Sequence, residues 1–282
     1  MELFKSLYNG LMLYPFVKKT LRHWVSVRMS PPRLAWARYL PALLLFFILL
    51  VLLQVGLPAL GVPSYLLPTP SRVWARLTEP GSGLAGHLWA TAQAGVGGLV
   101  LGSVGGVLLA ILFVAIRPLE RAFYPWVLVS QTLPSAALAP LLVIWLGNGL
   151  APRLAMAALF AFFPVLVNTT QGLRQITPEQ RDLLHAWGAS SLQTFRLLRI
   201  PAALPALFAG LRIAATLAVV GAIVGELAGS SEGLGYVISI ATYHLQTDRV
   251  FAAVTLAAGL SLLLSVLLHI AERQIVFWHT EG

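Results

Sequence analysis

The sequence predicts an all-α, polytopic membrane protein with six spanning helices, and three observations carry that prediction. Of its 282 residues, 58% are hydrophobic and only 10% charged, against about 25% charged in a soluble domain. Apolar runs of membrane length recur along the chain, each near the roughly 20 residues that a helix needs to cross the hydrocarbon core. Lysine and arginine collect on alternate connections, the arrangement that marks the cytoplasmic side of such proteins.

Taken in order, residues 1–38 form an N-terminal segment. Leu3, Phe4, Leu7, Tyr8 and Leu11 follow helical spacing, and Lys18, Lys19 and Arg22 come after Pro15. Two readings stand: an interfacial amphipathic segment with basic anchors, or a poorly ordered tail. Residues 39–60 hold the first span, Tyr39–Leu57, with no charge between Arg38 and Arg72. Residues 61–86, rich in Pro and Gly, make an external connection in which Pro70 to Leu77 reads as a short surface helix. The core membrane domain then occupies 87–273. Its first helix, His87–Ile116, carries Ala94, Gly98, Gly102 and Gly106 four apart, a ladder that lets another helix approach closely. Arg117, Glu120 and Arg121 mark an inner turn. Ala122–Leu146 is the third span, bent at Pro125, Pro134 and Pro140; such breaks are tolerated where backbone is buried in protein or lines a cavity. Residues 147–152 form a short outer turn, and Arg153–Thr170 is the fourth span. Ala206–Leu227 is the fifth. Ser230–Arg249 is an outer segment too polar to face lipid, holding a partly inserted helix at Tyr236–Tyr243. Val250–Ile270 is the sixth span, and the tail, 274–282, ends inside.

Charge tests this topology. With both ends inside, the inner side holds fifteen of the nineteen Lys and Arg residues. Only Arg72, Arg76, Arg153 and Arg249 fall outside. The net charge of +9 is thereby explained by the positive-inside bias, with no nucleic-acid partner. Arg212, within the fifth span, is expected to snorkel toward the inner headgroups.

Between the fourth and fifth spans lies the longest polar, patterned stretch of this region, Thr177 to Pro205. Thr177 and Gln180 have capping-box spacing, with Pro178 at the first helical position. Leu183, Leu184 and Trp187 share a face, and Gly188 ends that helix where a left-handed residue is cheapest. Ser190 and Gln193 make a second capping box. Leu192, Phe195 and Leu198 give the second helix its apolar face, and Pro201 and Pro205 stop it. Both helices are too short to span a bilayer, so 178–201 reads as a helix–Gly–helix hairpin at the cytoplasmic membrane surface.

Asp182-Leu183-Leu184, then Gly188, then Leu198-Arg199-Ile200-Pro201 resembles the cytoplasmic loop of ATP-binding cassette (ABC) importer permeases. That pattern is Glu-Ala-Ala, three residues, Gly, nine residues, Ile-x-Leu-Pro. The chain departs from it with Asp for Glu and two bulky Leu for two Ala. The resemblance extends through LPTPSRVWARL from Leu67, TLPSAALAPLLVIWLG, FFPVLVNT, SSEGLGYVI and LQTDRVFAA, about three-quarters of the chain. It looks like the subfamily that carries taurine, alkanesulfonates, nitrate and pyrimidine precursors of thiamine. VVGAIVGELAGSSEGLGY in particular looks like permeases for thiamine-pyrimidine precursors or riboflavin.

The resemblance implies a type I ABC importer permease fold in the plasma (inner) membrane, with both termini cytoplasmic. It implies an ABC ATPase subunit engaged from the cytoplasm through Asp182, Leu183, Leu184, Gly188, Ala189, Leu198, Ile200 and Pro201. It further implies an extracytoplasmic solute-binding protein, a permease homodimer and surrounding lipid.

The residues offer little other chemistry. There is no cysteine, which excludes disulfides, thiol catalysis and a lipidated N-terminal Cys. The first long apolar run begins only near Tyr39, so the start does not read as a cleaved signal peptide. Six scattered His residues show no metal-ligand spacing. The Gly-rich stretch GVGGLVLGSVGG lacks the Gly-Lys-Ser/Thr of a phosphate loop. The chain is therefore expected to be no enzyme, to need no cofactor and to leave ATP to its partner. Pathway candidates are Gln131, Thr132 and Glu226. Gln131 and Thr132 precede Pro134 at mid-membrane depth and either line the pathway or bond between helices. Glu226 either faces a cavity or is solvated near the outer surface. The alternative function is a secondary transporter driven by an ion gradient, which would need no ATPase; the duplicated halves common in such carriers are not seen.

Overall fold

The computed structural model describes residues 35–130 and 135–276, and among them it contains helices, turns and no strand. The first helix, α1 (Ala35–Ala59), is unbroken and apolar enough to cross a bilayer. Its residues up to Gly56 belong to one compact unit, and Leu57 begins a second.

The second unit begins with a connection that Pro70 turns into helix α2 (Pro70–Thr78), amphipathic, with the extended Thr69 at its N-cap position. Gly83, at φ 70°, starts α3 (Leu84–Ala115). Next come α4 (Arg117–Ser130), α5 (Ser135–Leu146) and α6 (Leu150–Arg174). After α7 (Pro178–Ala186), α8 (Ser191–Thr194) passes through a π-helical turn, Phe195–Arg199, into α9 (Ile200–Leu227). The short α10 (Leu234–Tyr243) and long α11 (Thr247–Ile275) complete the order.

At the centre α6 packs against α3 on one side and α9 on the other. The glycine ladder of α3 makes this possible. A Cβ on Gly102 would strike the carbonyl oxygen of Ala158 and come within 3.0 Å of the Ala161 Cβ. One on Gly106 would lie 2.9 Å from the Phe162 carbonyl. From α9, Gly221 and Gly210 approach the Met156 and Pro164 carbonyls just as closely. Ala94, Ala157, Ala161, Ala214, Ala215, Ala218 and Ala222 fill the seam between. Backbone-to-backbone approach of this kind maximises dispersion contact where lipid offers no hydrophobic drive for association. A second apolar cluster joins α9, α10 and α11 through Val219, Leu234, Val237 and Ala253. A third joins the far end of α3 to α6 through Ala110, Phe113 and Leu166.

Three expectations concern the third span, the hairpin and Arg212. The third span, expected as one bent helix over Ala122–Leu146, is two helices in the described residues, α4 and α5, of 14 and 12 residues. Among the described residues, which leave out 131–134 between α4 and α5, five helical runs are long and apolar enough to cross a membrane, and Ala137–Leu146 and Leu234–Tyr243 are shorter apolar helices. Secondly, Pro201 and Pro205 do not stop the second hairpin helix. Helix continues from Ser191 to Leu227, because the preceding π turn, closed by Ile200 N–H to the Phe195 carbonyl, widens the spiral where the Pro201 ring would otherwise clash. Thirdly, Arg212 is not alone. Its guanidinium donates to Glu272 at 2.5 Å on α11, beside His269 at 3.3 Å.

The seam predicts an asymmetry between two α3 glycines. Gly102→Ala should lower stability by about 1–3 kcal/mol through overpacking, while Gly86→Ala, with nothing within 4 Å, should not. Thermal unfolding of the purified variants in detergent checks both.

Candidate functional site

The continuous run from Ser191 to Leu227 ends in a polar structure on either side. At its start is the hairpin. The Thr177 hydroxyl accepts from Gln180 N–H at 3.3 Å, and the Gln180 side chain accepts from Thr177 N–H at 3.2 Å. Glu179, in the first turn, is held below its ordinary pKa, first by its own backbone N–H and then by the Thr177 side chain. The helix closes in a Schellman turn: Ala189 N–H donates to the Leu184 carbonyl at 3.0 Å and Gly188 N–H to the His185 carbonyl at 2.9 Å. Gly188 sits at φ 76°, as its spacing predicts. Ser190 and Gln193 complete the second capping box at 3.3 and 2.7 Å. The hairpin therefore presents a fixed shape, and Leu183, Trp187, Leu192 and Leu197 stand out from it exposed, Trp187 at 77%. Leu184, Ala189 and Leu198 are half-buried; Asp182 and Gly188 are exposed, and Ile200 is exposed where α9 begins beside Pro201.

At the other end, Glu226 is 1% exposed. Its carboxylate accepts from the Thr91 hydroxyl at 2.8 and 3.0 Å and from Gly235 N–H at 2.7 Å. The same Thr91 oxygen accepts from Leu234 N–H at 2.8 Å, and His87 Nδ1 accepts from Gly233 N–H at 3.1 Å. The first-turn donors of α10, which no helix can satisfy internally, are thus taken by side chains of α3 and α9. A Cβ on Gly233 would collide with the Glu226 carboxylate, and one on Gly235 would lie 2.7 Å from the Glu226 Cβ. The sequence Glu226…Gly233-Leu234-Gly235 is therefore one packing unit. Beside it Arg153, 3% exposed, donates to Glu232 at 2.7 Å and to the Gly149 carbonyl at 2.7 Å.

Glu226 is thus enclosed by hydrogen-bond partners. Gln131 and Thr132 lie outside the described residues. Sequence reasoning missed Thr91, His87 and the two glycines as partners of Glu226, and placed Arg153 simply among the outer charges. The available signal was an acid followed at seven and nine residues by Gly, in a chain with a lone Thr in the facing apolar helix. Among the described residues no group of three His, Cys, Asp or Glu could hold a metal.

A glycine-seamed helical core crossing the membrane, carrying a capped, protruding hairpin on one of its long helices, defines a helical transport permease. The chain belongs to the family of binding-protein-dependent transport system inner membrane components, which matches residues 98–276. It is 38% identical to the riboflavin transport system permease protein of Chloroflexus aurantiacus, over 88% of this chain and 93% of that one. It is 37% identical to a probable ABC transporter permease protein of Haemophilus influenzae, over 80% and 93%. It is 36% identical to the formylaminopyrimidine transport permease protein of Halalkalibacterium halodurans, over 83% and 94%. The fold is that of the type I ABC permeases, and the chain is a membrane-spanning translocation subunit without enzymatic activity. ATP hydrolysis belongs to a separate subunit, and a solute-binding protein completes the system. The secondary-transporter alternative falls with this membership.

Glu226→Ala should strand the Gly235 N–H, and a buried group left without a partner costs about 1–3 kcal/mol. Amides of residues 234–243 should then exchange hydrogen about tenfold faster or more, with α6 amides unchanged. Equal protection in both proteins would show that the carboxylate does not hold α10.

Proposed function

We propose that this chain, as a homodimer, forms the pathway for a small neutral heterocycle, a thiamine-pyrimidine precursor or a close relative, delivered by an external binding protein. An anion of the taurine, alkanesulfonate or nitrate type is the second reading. The observation that carries the heterocycle is the treatment of charge inside the spans. Arg153 and Arg212 are each paired with a glutamate, Glu232 and Glu272, so neither offers an anion an unneutralised cation. The names of the Chloroflexus and Halalkalibacterium relatives, which carry riboflavin and formylaminopyrimidine, point the same way.

In this reading both termini and the hairpin 178–201 are cytoplasmic, and residues 229–249 are external. Asp182, Leu183, Leu184, Gly188 and Ala189, with Leu198, Ile200 and Pro201 at the root, engage the ATPase subunit. The apolar side chains standing out of a doubly capped hairpin supply the docking face. Closure of the ATPase pair moves the hairpin as one body, and α9, helically continuous with it, carries the movement into the membrane. A ligand can drive such a switch only through contacts that differ between its two states. Gln131 and Thr132 are the solute-facing candidates. Glu226 acts as the anchor of α10 at the outer end, an ionisable group retained in the span by its partners.

The test is reconstitution of permease, ATPase and binding protein in liposomes. ATP-driven uptake of a labelled aminopyrimidine, uncompeted by taurine, is expected; the reverse preference would overturn the substrate reading. Gly188→Val, which forces a β-branched residue into positive φ at a cost of roughly 1 kcal/mol or more, and Leu184→Asp should each abolish solute-stimulated ATP hydrolysis with the spans still inserted. Unchanged coupling in both would remove the hairpin's assigned role. On intact cells, an impermeant thiol reagent should label Ser231→Cys and spare Ser191→Cys; the opposite pattern would invert the orientation.

A further inference from the structure

Four arginines converge where the hairpin leaves the membrane core. Arg117 opens α4, Arg174 ends α6, Arg181 lies on α7, and Arg199 closes the π turn. Together they line one hollow of about 270 Å³, and no carboxylate lines it with them. Two acids lie nearby. Glu120, almost wholly buried, is paired with Arg174 and lines the adjoining hollow with Arg121. Asp182 stands 3.6 Å from Arg181 on the exposed face of α7. Neither fills the space between the guanidiniums.

The depth of the hollow identifies what enters it. Its other walls include Val114, in the last turn of spanning helix α3, and Leu173, beside the last residue of spanning helix α6. Two spans thus end at its rim, which puts it at the height of lipid headgroups, with the ends of the apolar spans on one side and arginines on the other. Guanidinium groups recognise phosphate oxygens through paired, charge-assisted hydrogen bonds. Basic pockets between spanning helices are chemically suited to anionic headgroups.

We propose that this hollow binds the phosphate of an anionic phospholipid, clamping the root of the hairpin to the ends of α3 and α6. The inference needs only that the chain spans a membrane; it does not depend on the substrate or on the hairpin's partner. A bound phosphodiester would neutralise the mutual repulsion of the four cations and hold Arg181 and Arg199, on the two arms of the hairpin, against Arg117 and Arg174 of the core.

The assembled transporter, placed in nanodiscs of phosphatidylcholine and phosphatidylglycerol in equal parts, is released and its retained lipid read by native mass spectrometry. Arg117→Gln with Arg199→Gln should weaken phosphatidylglycerol retention about 25-fold, about fivefold for each arginine near the surface. Arg121→Gln, outside this hollow, should leave it unchanged, and the lysine versions at 117 and 199 should retain most of it. Unfolding midpoints of all variants, measured in phosphatidylcholine alone, distinguish lost binding from lost fold. Equal retention by wild type and double variant would overturn the proposal. So would displacement of the lipid by inorganic phosphate at equal concentration, which would assign the hollow to a soluble anion. Loss of the ATPase subunit from the double variant with lipid retention unchanged would assign the arginines to the partner, and would equally overturn it.

Discussion

The structure rests on the approach of α3, α6 and α9 to backbone contact. Hydrocarbon surrounds a membrane helix whether or not it has a neighbour, so association relies on dispersion and on groups that must find partners inside protein. Glycines at 98, 102 and 106 of α3, and at 210 and 221 of α9, remove the side chains that would hold these helices apart. Once the backbones meet, charged groups have few places to go, and three ion pairs form at the seam or its ends. Arg153 meets Glu232, Arg212 meets Glu272, and Glu120 meets Arg174. An isolated charge at such depth is costly, so these pairs fix the register of helices that the apolar surfaces alone would let slide.

That register matters because α9 is committed at both ends. At one end it continues back through the π turn to Ser191 and the Gly188 turn. At the other, Glu226 takes the Gly235 N–H of α10 while Thr91 of α3 takes that of Leu234. π turns recur at functional sites because they insert one residue without ending a helix. Here that insertion precedes Pro201, and it converts what would be a break between hairpin and span into a continuous element. In the proposed mechanism, a displacement of the hairpin is therefore transmitted to the membrane core and to α10, and is not absorbed at a hinge.

The legible parts of this chain were those decided within a few residues. Both capping boxes, the positive φ of Gly188 and the glycine ladder depend on neighbours in sequence, and the structure reproduces them. The parts that were not legible depend on residues far apart. Glu226 and Thr91 are separated by 135 positions and Thr91 and Leu234 by 143, and nothing in a period or a cap announces such a meeting. The partner of Arg212 was hidden because it lies 60 positions on, in another helix. Proline misled at the hairpin: it failed to end the second arm at Pro201, where the π turn relieves the clash.

The central claim is that hairpin and outer anchor are two ends of one rigid helix. The chain has no cysteine, so single cysteines at Ser191 and Ser231 can each carry a nitroxide without interference, diluted among unlabelled subunits. The helical run from Ser191 to Leu227, which ends four residues before Ser231, implies a length of roughly 55 Å at 1.5 Å per residue. Pulsed electron resonance on the assembled transporter, with and without ATP and vanadate, should return one narrow distance that does not change between the two conditions. A second distance, or a broad distribution appearing when nucleotide is trapped, would mean that the π turn is a hinge and that the hairpin moves without its span.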